Sequence, residues 1–431
     1  MESIETVVIG AGQAGLALSW HLSQRRCEHL VLERARIAER WHSQRWDSLY
    51  FQFPNWSIEL PGQPPYTGGP PDAFAHRSEV WRFLEHYAAA IRAPVRCNTE
   101  VTTLRREGDR STRFRLVTPQ RELRARNVVV ATGPYQYGCV PLLQRGLPPE
   151  VMQIHAGDYR NPDRLPEGAV LVIGSGASGC QIADELLDAG RRTYLSVGRH
   201  QRSPRRYRGR DAFWWRRELG LLDETAAELP PECRMPAALL TGVHGGYDVD
   251  LRQSAARGLS LLGHLQKTCD GRLHFADDLE THLRGGDRSL EAFVARIDAH
   301  VARTDGLDVE PAPDKPRVPA RTVFHSPPQL DARADRIGSV IWATGYRFDF
   351  GWIKVPEVFD AAGAPVHRRG ITEVPGLYFL GLPWLYKRKS TFLMGVGEDA
   401  AHIAATIADE SRQRRPGDTS SPGAADGRND Q

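Results

Sequence analysis

VVIGAGQAGLALSW, residues 7–20, sets a buried-strand run, glycines in the spacing GxGxxG and a helical apolar pattern end to end, and VLVIGSGASGCQIADEL, residues 170–186, does the same again. In the first copy, the apolar run Ile4–Ile9 leads into Gly10, Gly12 and Gly15, with Ala11, Gln13 and Ala14 between them. Leu16, Ala17 and Trp20 then mark a helix, and HLVLE, His29–Glu33, reads as a second buried strand. The first glycine of such a turn permits a tight bend, the second lets the backbone approach a diphosphate, and the third lets helix pack on strand. The helix N-terminus offers unpaired N–H groups and a partial positive charge to the phosphates. A lone GxGxxG is weak; strand, turn, helix, strand and terminal acid together are a fingerprint.

The second copy repeats the order with strand Ala169–Ile173, turn Gly174, Ser175, Gly176, Ala177, Ser178 and Gly179, and helix Gln181–Asp188 stopped by Gly190. Strand Thr193–Val197 follows. The two copies differ where the second strand ends. Glu33, with Arg34 after it, stands where a carboxylate hydrogen-bonds ribose hydroxyls, whereas the second copy has Arg199, which suits a 2′-phosphate. Arg202, Arg205 and Arg206 are candidates for the same clamp. Two dinucleotides in one chain imply electron transfer between them. The 2′-phosphate site points to NADPH as hydride donor, and the other to a resident acceptor, for which FAD is the natural candidate.

The expected fold class is therefore α/β, with two Rossmann-like doubly wound domains and the NADP domain inserted into the FAD domain. NVVVATG (127–133), SVIWATG (339–345) and GLYFLG (376–381) supply further buried strands, and 398–410 a final helix. We expect the FAD domain over 1–150 and 335–410, the NADP domain with a helical insertion over 151–334, and a disordered tail over the polar, Gly- and Pro-rich residues 411–431.

Composition narrows the function. The 56 basic and 53 acidic residues nearly cancel, which argues against a dedicated nucleic-acid surface. Six cysteines lie no closer than 36 residues apart, so neither a dithiol centre nor a zinc site is expected, and no metal is invoked. The first strand opens so early that no signal peptide fits before it, and no apolar stretch approaches 18 residues. The expectation is a cytoplasmic protein without membrane contact; a homo-oligomer stays open.

With GAGQAGLA (10–17), LVLER (30–34), VVVATG (128–133), GSGASG (174–179), ATGY (343–346), GLYFLGL (376–382) and GVGEDAAHIA (395–404), the chain resembles the class B flavin-containing monooxygenases, over about residues 4–410. The resemblance implies that Gly10, Gly12, Gly15 and Glu33 hold the FAD diphosphate and ribose, and that Trp41, Arg45 and Trp46 lie beside the flavin. It also implies that the Val101 backbone meets the adenine. Ala131, Thr132, Gly133, Thr344 and Gly345 end strands that cross between domains. Gly381 belongs to the same framework, and Gly395 and Val396 open a final helix whose positive end stabilises the reduced flavin. Two departures stand out. Of the FxGxxxHxxxF/Y/W motif only His155 and Tyr159 remain, with Pro149 and Val151 at the Phe and Gly positions. The family's asparagine near the flavin is replaced in SLYFQFPNW by Gln52, with Asn55 as the alternative.

The implied reaction uses NADPH and O2 to oxygenate a small substrate through a C4a-hydroperoxyflavin, with Gln52 or Asn55 hydrogen-bonding the adduct. Tyr50, Phe51, Phe53 and Trp56, with Trp384, Tyr386 and Phe392, make an apolar or aromatic substrate the expectation. Phe213, Trp214 and Trp215 read as core, dimer contact or lid, and Lys387, Arg388 and Lys389 as a solvated basic turn. The competing reading is an NADPH-dependent flavoprotein that passes electrons to another acceptor. A non-enzymatic protein that kept the fold would have damaged turns, and these are intact.

Overall fold

The computed structural model describes residues 1–107, 113–229, 237–313 and 326–413. The expected tail from 414 on, most of the Pro-rich stretch 311–320 and Cys233 lie outside them. In chain order the elements that position the site are β1 (Glu2–Ile9), α1 (Gln13–Gln24), β2 (His29–Leu32), α2 (Glu39–Ser43), α3 (Arg77–Ala90), β3 (Val95–Arg96), β4 (Thr103–Arg106), β5 (Phe114–Val117), β6 (Glu122–Val130) and β7 (Met152–His155). There follow β8 (Ala169–Ile173), α4 (Ala177–Asp188), β9 (Thr193–Ser196), α5 (Ala212–Glu218), β10 (Ser260–Leu262), β11 (Leu265–Cys269) and β12 (Arg272–Phe275). The series closes with α6 (Leu279–Val301), β13 (Ile337–Trp342), β14 (Leu377–Phe379) and α7 (Leu393–Arg412).

The first sheet has a parallel half in the order β3-β2-β1-β6-β14. Strand β6 is long enough to serve two partners. Its Val128–Val130 end pairs parallel with β14, and its Glu122–Ala125 end pairs antiparallel with β5, which continues into β4. Val7, Val8, Val128 and Val129 are fully buried, as near-continuous apolar runs require in a sheet covered on both faces. Helix α7 lays Val396, Ala400, Ile403 and Ile407, spaced by three and four residues, into that core, and α1 packs beside it.

The second sheet is wholly parallel in the order β10-β9-β8-β13-β7. Strand β13, Ile337–Trp342, sits between β8 and β7. The chain therefore rejoins the first sheet only later, through Ile353–Lys354 on the edge of β4. The expected return near residue 335 is moved beyond Gly345, because the WAT run completes the second sheet before crossing. The fold is a pair of Rossmann-like doubly wound units, one interrupting the other.

Candidate functional site

The two glycine turns are copies in detail. Gly10 has φ 111° and Gly174 φ 107°, values that favour glycine. A Cβ on Gly10 would stand 2.6 Å from the Ala131 carbonyl oxygen, and one on Gly174 2.6 Å from that of Ala343. Methyl groups on Gly15 and Gly179 would overlap the carbonyl oxygens of Gly10 and Gly174. Gly12 and Gly176 differ from both: a Cβ there meets no protein atom within 4 Å. Protein packing thus explains the first and third glycine of each turn and leaves the middle one to be explained by something that fills the space.

Gly12 and Gly176 are also the N-caps of α1 and α4, neither helix has a side-chain cap, and neither has an acid in its first turn. Their leading N–H groups are thus left for an anion. Both cradles fit a dinucleotide diphosphate. At the first, burial and the neighbouring Arg34 and Arg45 lower the Arg40 pKa to about 10, so positive charge accumulates beside the turn. Arg45 lies 5.4 Å from the Trp41 ring centroid and 5.0 Å from that of Tyr135.

Glu33 is buried at the end of β2, its Oε2 accepting from the Ala11 N–H at 2.8 Å and its Oε1 from the Ala35 N–H at 3.1 Å. The carboxylate is fixed against the turn, with lone pairs left for hydroxyl donors. Gln13 reaches the Thr391 carbonyl, and a Cβ on Gly381 (φ 75°) would stand 2.8 Å from the Ala14 methyl. The first turn, Ala131–Gly133, Gly381 and the start of α7 therefore meet at one edge of the sheet. Gly395 lies close against Lys389, and Val396 and Val101 are buried in the same core. Trp46 is buried in the core of the second unit, the cluster that also holds Ala156 and Tyr159 and against which Trp41 packs.

At the second turn, Ser175 is committed to structure: its hydroxyl donates to the Gly198 carbonyl at 3.1 Å and accepts from the Gly198 N–H at 3.0 Å. Gly133 (φ 72°) and Gly345 (φ 85°) end the paired ATG runs with open space above them. Thr132 accepts from Gln136 at 2.9 Å, and Thr344 bonds the Cys139 carbonyl. His155 locks this crossing. Its Nδ1 accepts from the Gly157 N–H at 3.0 Å, so its Nε2–H donates to the Gly345 carbonyl at 2.9 Å. Burial lowers its pKa, which keeps this neutral tautomer.

The arginines after β9 separate by environment. Arg199 is exposed and, among the described residues, makes no hydrogen bond or ion pair. Arg202 is buried between Asp250 at 2.6 Å and Asp287, and Arg206 reaches the Gly245 carbonyl at 3.2 Å. Arg205, its side chain 2% exposed, holds Asp211 through two hydrogen bonds of 2.9 and 2.6 Å. The expected clamp of four arginines is corrected accordingly, since Arg202 and Arg205 already spend their charge on buried carboxylates.

Arg205 has a different task. Its Nη1 donates to the Gln52 carbonyl at 2.8 Å, tying the second unit to the SLYFQFPNW segment. Asp211 also caps α5 by accepting from the Phe213 N–H at 2.7 Å. Phe213 stacks on Phe53 with centroids 4.1 Å apart, and lies 5.6 Å from Trp56 and 5.9 Å from Phe392. Phe392 is the N-cap of α7. Aromatics from three distant segments therefore converge on Phe53, whose chain neighbour Gln52 has a side-chain amide that makes no hydrogen bond among the described residues. Asn55 differs: it is buried, and its Nδ2 donates to the Pro70 carbonyl at 3.0 Å.

The basic turn 387–389 is not solvated. Lys387 and Lys389 each reach Asp223 at 2.8 Å and also pair with Glu398, while Arg388 meets Glu224 at 2.6 Å. The Arg388 and Lys389 amides donate to the Glu224 and Leu222 carbonyls, so a segment of the second unit is latched to the approach of α7. Of the alternatives open for Phe213, the structure shows a buried core position, and the partners that make Lys387–Lys389 a latch, Asp223 and Glu224, lie more than 100 residues away in the sequence.

The pyridine nucleotide-disulphide oxidoreductase family profile matches residues 7–211. An uncharacterized CzcO-like oxidoreductase of Geobacillus kaustophilus is 33% identical over 93% of this chain and 97% of its own. A probable indole-3-pyruvate monooxygenase of Arabidopsis thaliana, YUCCA3, is 26% identical over 95% of this chain and 88% of its own. A flavin-containing monooxygenase from Stenotrophomonas maltophilia superimposes with TM-score 0.66 at 21% identity, covering 95% of this chain and 100% of that one. The duplicated turns and the full-length likeness to the CzcO-like oxidoreductase lead to one assignment: the chain belongs to the family of CzcO-like oxidoreductases, shares the fold of two-dinucleotide flavoenzymes, and is an oxidoreductase.

Proposed function

We propose that the protein is an FAD- and NADPH-dependent monooxygenase that uses O2 to oxygenate a small apolar or aromatic substrate. One observation carries this reading beyond a generic flavoprotein. Gln52, whose side-chain amide has no hydrogen-bond partner among the described residues, is next in the chain to Phe53 at the centre of an aromatic cluster, and its backbone carbonyl accepts from Arg205 of the second unit.

FAD and NADPH, when bound, supply hydride transfer and oxygen activation. The chain supplies the rest. Gly12 and the leading N–H groups of α1 bind the FAD diphosphate, and Glu33 accepts from ribose hydroxyls. Gly176 and the start of α4 bind the NADPH diphosphate, and Arg199 meets the 2′-phosphate. The N-terminal end of α7 carries no acid in its first turn and favours negative charge on the reduced cofactor. Gln52 donates to the oxygen that is activated. Phe53, Trp56, Phe213 and Phe392 keep water away and give an apolar substrate its surface.

The family profile bears the name of disulphide oxidoreductases, yet Cys27, Cys97, Cys139, Cys180 and Cys269 are all free thiols. A reductase with a cysteine-pair centre is therefore not favoured. The test measures NADPH and O2 consumption and H2O2 release across amines, sulfides, ketones and aromatic acids. A monooxygenase shows a substrate that raises NADPH use while the H2O2 released per NADPH falls. Full conversion of NADPH to H2O2 with every substrate, alongside fast reduction of a quinone, establishes the electron-transfer reading instead.

A further inference from the structure

A cluster of metal-ligating side chains stands outside the machinery described above. His264 lies between β10 and β11, Asp278 precedes α6, and His282 is in the first turns of that helix. One donor atom from each lies within 4.8 Å of the other two. Asp278 Oδ2 sits between them, 2.9 Å from His282 Nε2 and in contact with His264 Nδ1. We propose that His264, Asp278 and His282 form a site for a divalent transition-metal ion of the zinc class.

Three features support a built site. First, Asp278 occupies the N-cap of α6 yet makes no capping hydrogen bond with its side chain. Asp is favoured at that position because it accepts from the helix N–H groups, and here the carboxylate is turned to the imidazoles instead. Second, the other carboxylate oxygen is held by the His264 backbone N–H at 3.0 Å, an outer contact that orients a metal-binding acid. Third, Gly263 lets the two loops approach: a Cβ there would overlap the Ala276 carbonyl and stand 2.8 Å from Asp278 Oδ1.

Two imidazole nitrogens and one carboxylate oxygen suit zinc and its neighbours, with the remaining coordination position left to water. Ligand atoms around tetrahedral zinc stand about 3.3 Å apart, given zinc–ligand distances of about 2.0–2.1 Å. The His264 ring is half-exposed, which leaves room for the side-chain rotation that this spacing requires. Strand β10 is the neighbour of β9, the strand that leads to Arg199. The metal would thus pin the loop one strand out from the NADPH end, about 5 Å across the sheet by strand spacing.

The test is calorimetric titration of chelator-treated, desalted holoprotein with Zn2+ alone. Wild type should take up one equivalent saturably. D278N and H282Q should bind at least tenfold more weakly with flavin content unchanged, and H86A, at an exposed histidine far along the chain, should bind as wild type does. Absence of saturable binding overturns the proposal, as does equal binding by D278N and H282Q.

Discussion

Replacing Arg199 with alanine removes a guanidinium that, among the described residues, serves no contact within the protein. Its loss should leave the unfolding free energy within about 0.5 kcal/mol of wild type, as for a surface change away from structural features. The effect appears when NADPH binds. A unit charge pair at about 4 Å is worth about 1 kcal/mol in a water-like medium and about 4 kcal/mol at the effective dielectric of a protein surface. A charge-assisted hydrogen bond falls within that window, at about 1.5–3 kcal/mol. Arg199→Ala should therefore raise KM for NADPH about ten- to hundredfold and leave NADH nearly untouched, since only NADPH carries the extra phosphate. The assay is anaerobic flavin reduction as a function of each nucleotide. Arg202→Ala is the contrast: it leaves the buried Asp250 without its guanidinium, while Asp287 keeps Arg252, so it should lower stability by about 3 kcal/mol without changing the NADPH-to-NADH ratio. An equal loss for both nucleotides in Arg199→Ala would refute the placement of the 2′-phosphate.

Gly12→Val has space for its side chain in the free protein, so a folded, colourless protein is expected, whereas Gly15→Ala overlaps the Gly10 carbonyl and should not fold. A yellow, fully loaded Gly12→Val contradicts the turn assignment. Gln52→Ala should speed NADPH-driven H2O2 release about ten- to hundredfold, the worth of one hydrogen bond to a charged group, with flavin content unchanged. Asn55→Ala should instead lower the melting temperature, because its amide holds the Pro70 loop. The latch around residues 387–398 is pH-sensitive. Burial raises the Asp223 and Glu398 pKa values, but Lys387 and Lys389 outweigh it and both carboxyls are lowered. Their contribution is present above the usual carboxylate range and is lost as pH falls through the lowered values, below about pH 4. Thermal midpoints between pH 3 and 7 should fall on that limb in wild type and less in Lys389→Met; identical profiles would show that the latch carries no stability.

What was legible in the sequence is what local chain geometry dictates. Both turns, the acid ending β2 and the free arginine beyond β9 depend on residues within about 25 positions of each other, and pattern alone places them. The roles of Arg202 and Arg205 are set by Asp250, Asp287 and the Gln52 carbonyl, which the fold brings from far along the chain. A basic run reads the same whether it faces phosphate or a buried carboxylate. Lys387–Lys389 illustrate the point, since their partners Asp223 and Glu224 lie in the other unit. The sheet to which Ile337–Trp342 belongs is not legible either, because a buried parallel strand looks alike in both sheets. Of His264, Asp278 and His282, only the D-x-x-x-H pair at the start of one helix has a local signature, because His264 comes from a separate loop.

Central to the account is that the two dinucleotide sites work as one machine, with hydride passing from the nucleotide held by Gly176 and Arg199 to the flavin held by Gly12 and Glu33. Mixing the FAD-loaded protein with NADPH under strict anaerobiosis measures this directly. The account predicts loss of the oxidised flavin absorbance with one NADPH oxidised per FAD, at a rate that saturates with NADPH. A protein that binds both nucleotides while its flavin stays oxidised would contradict it.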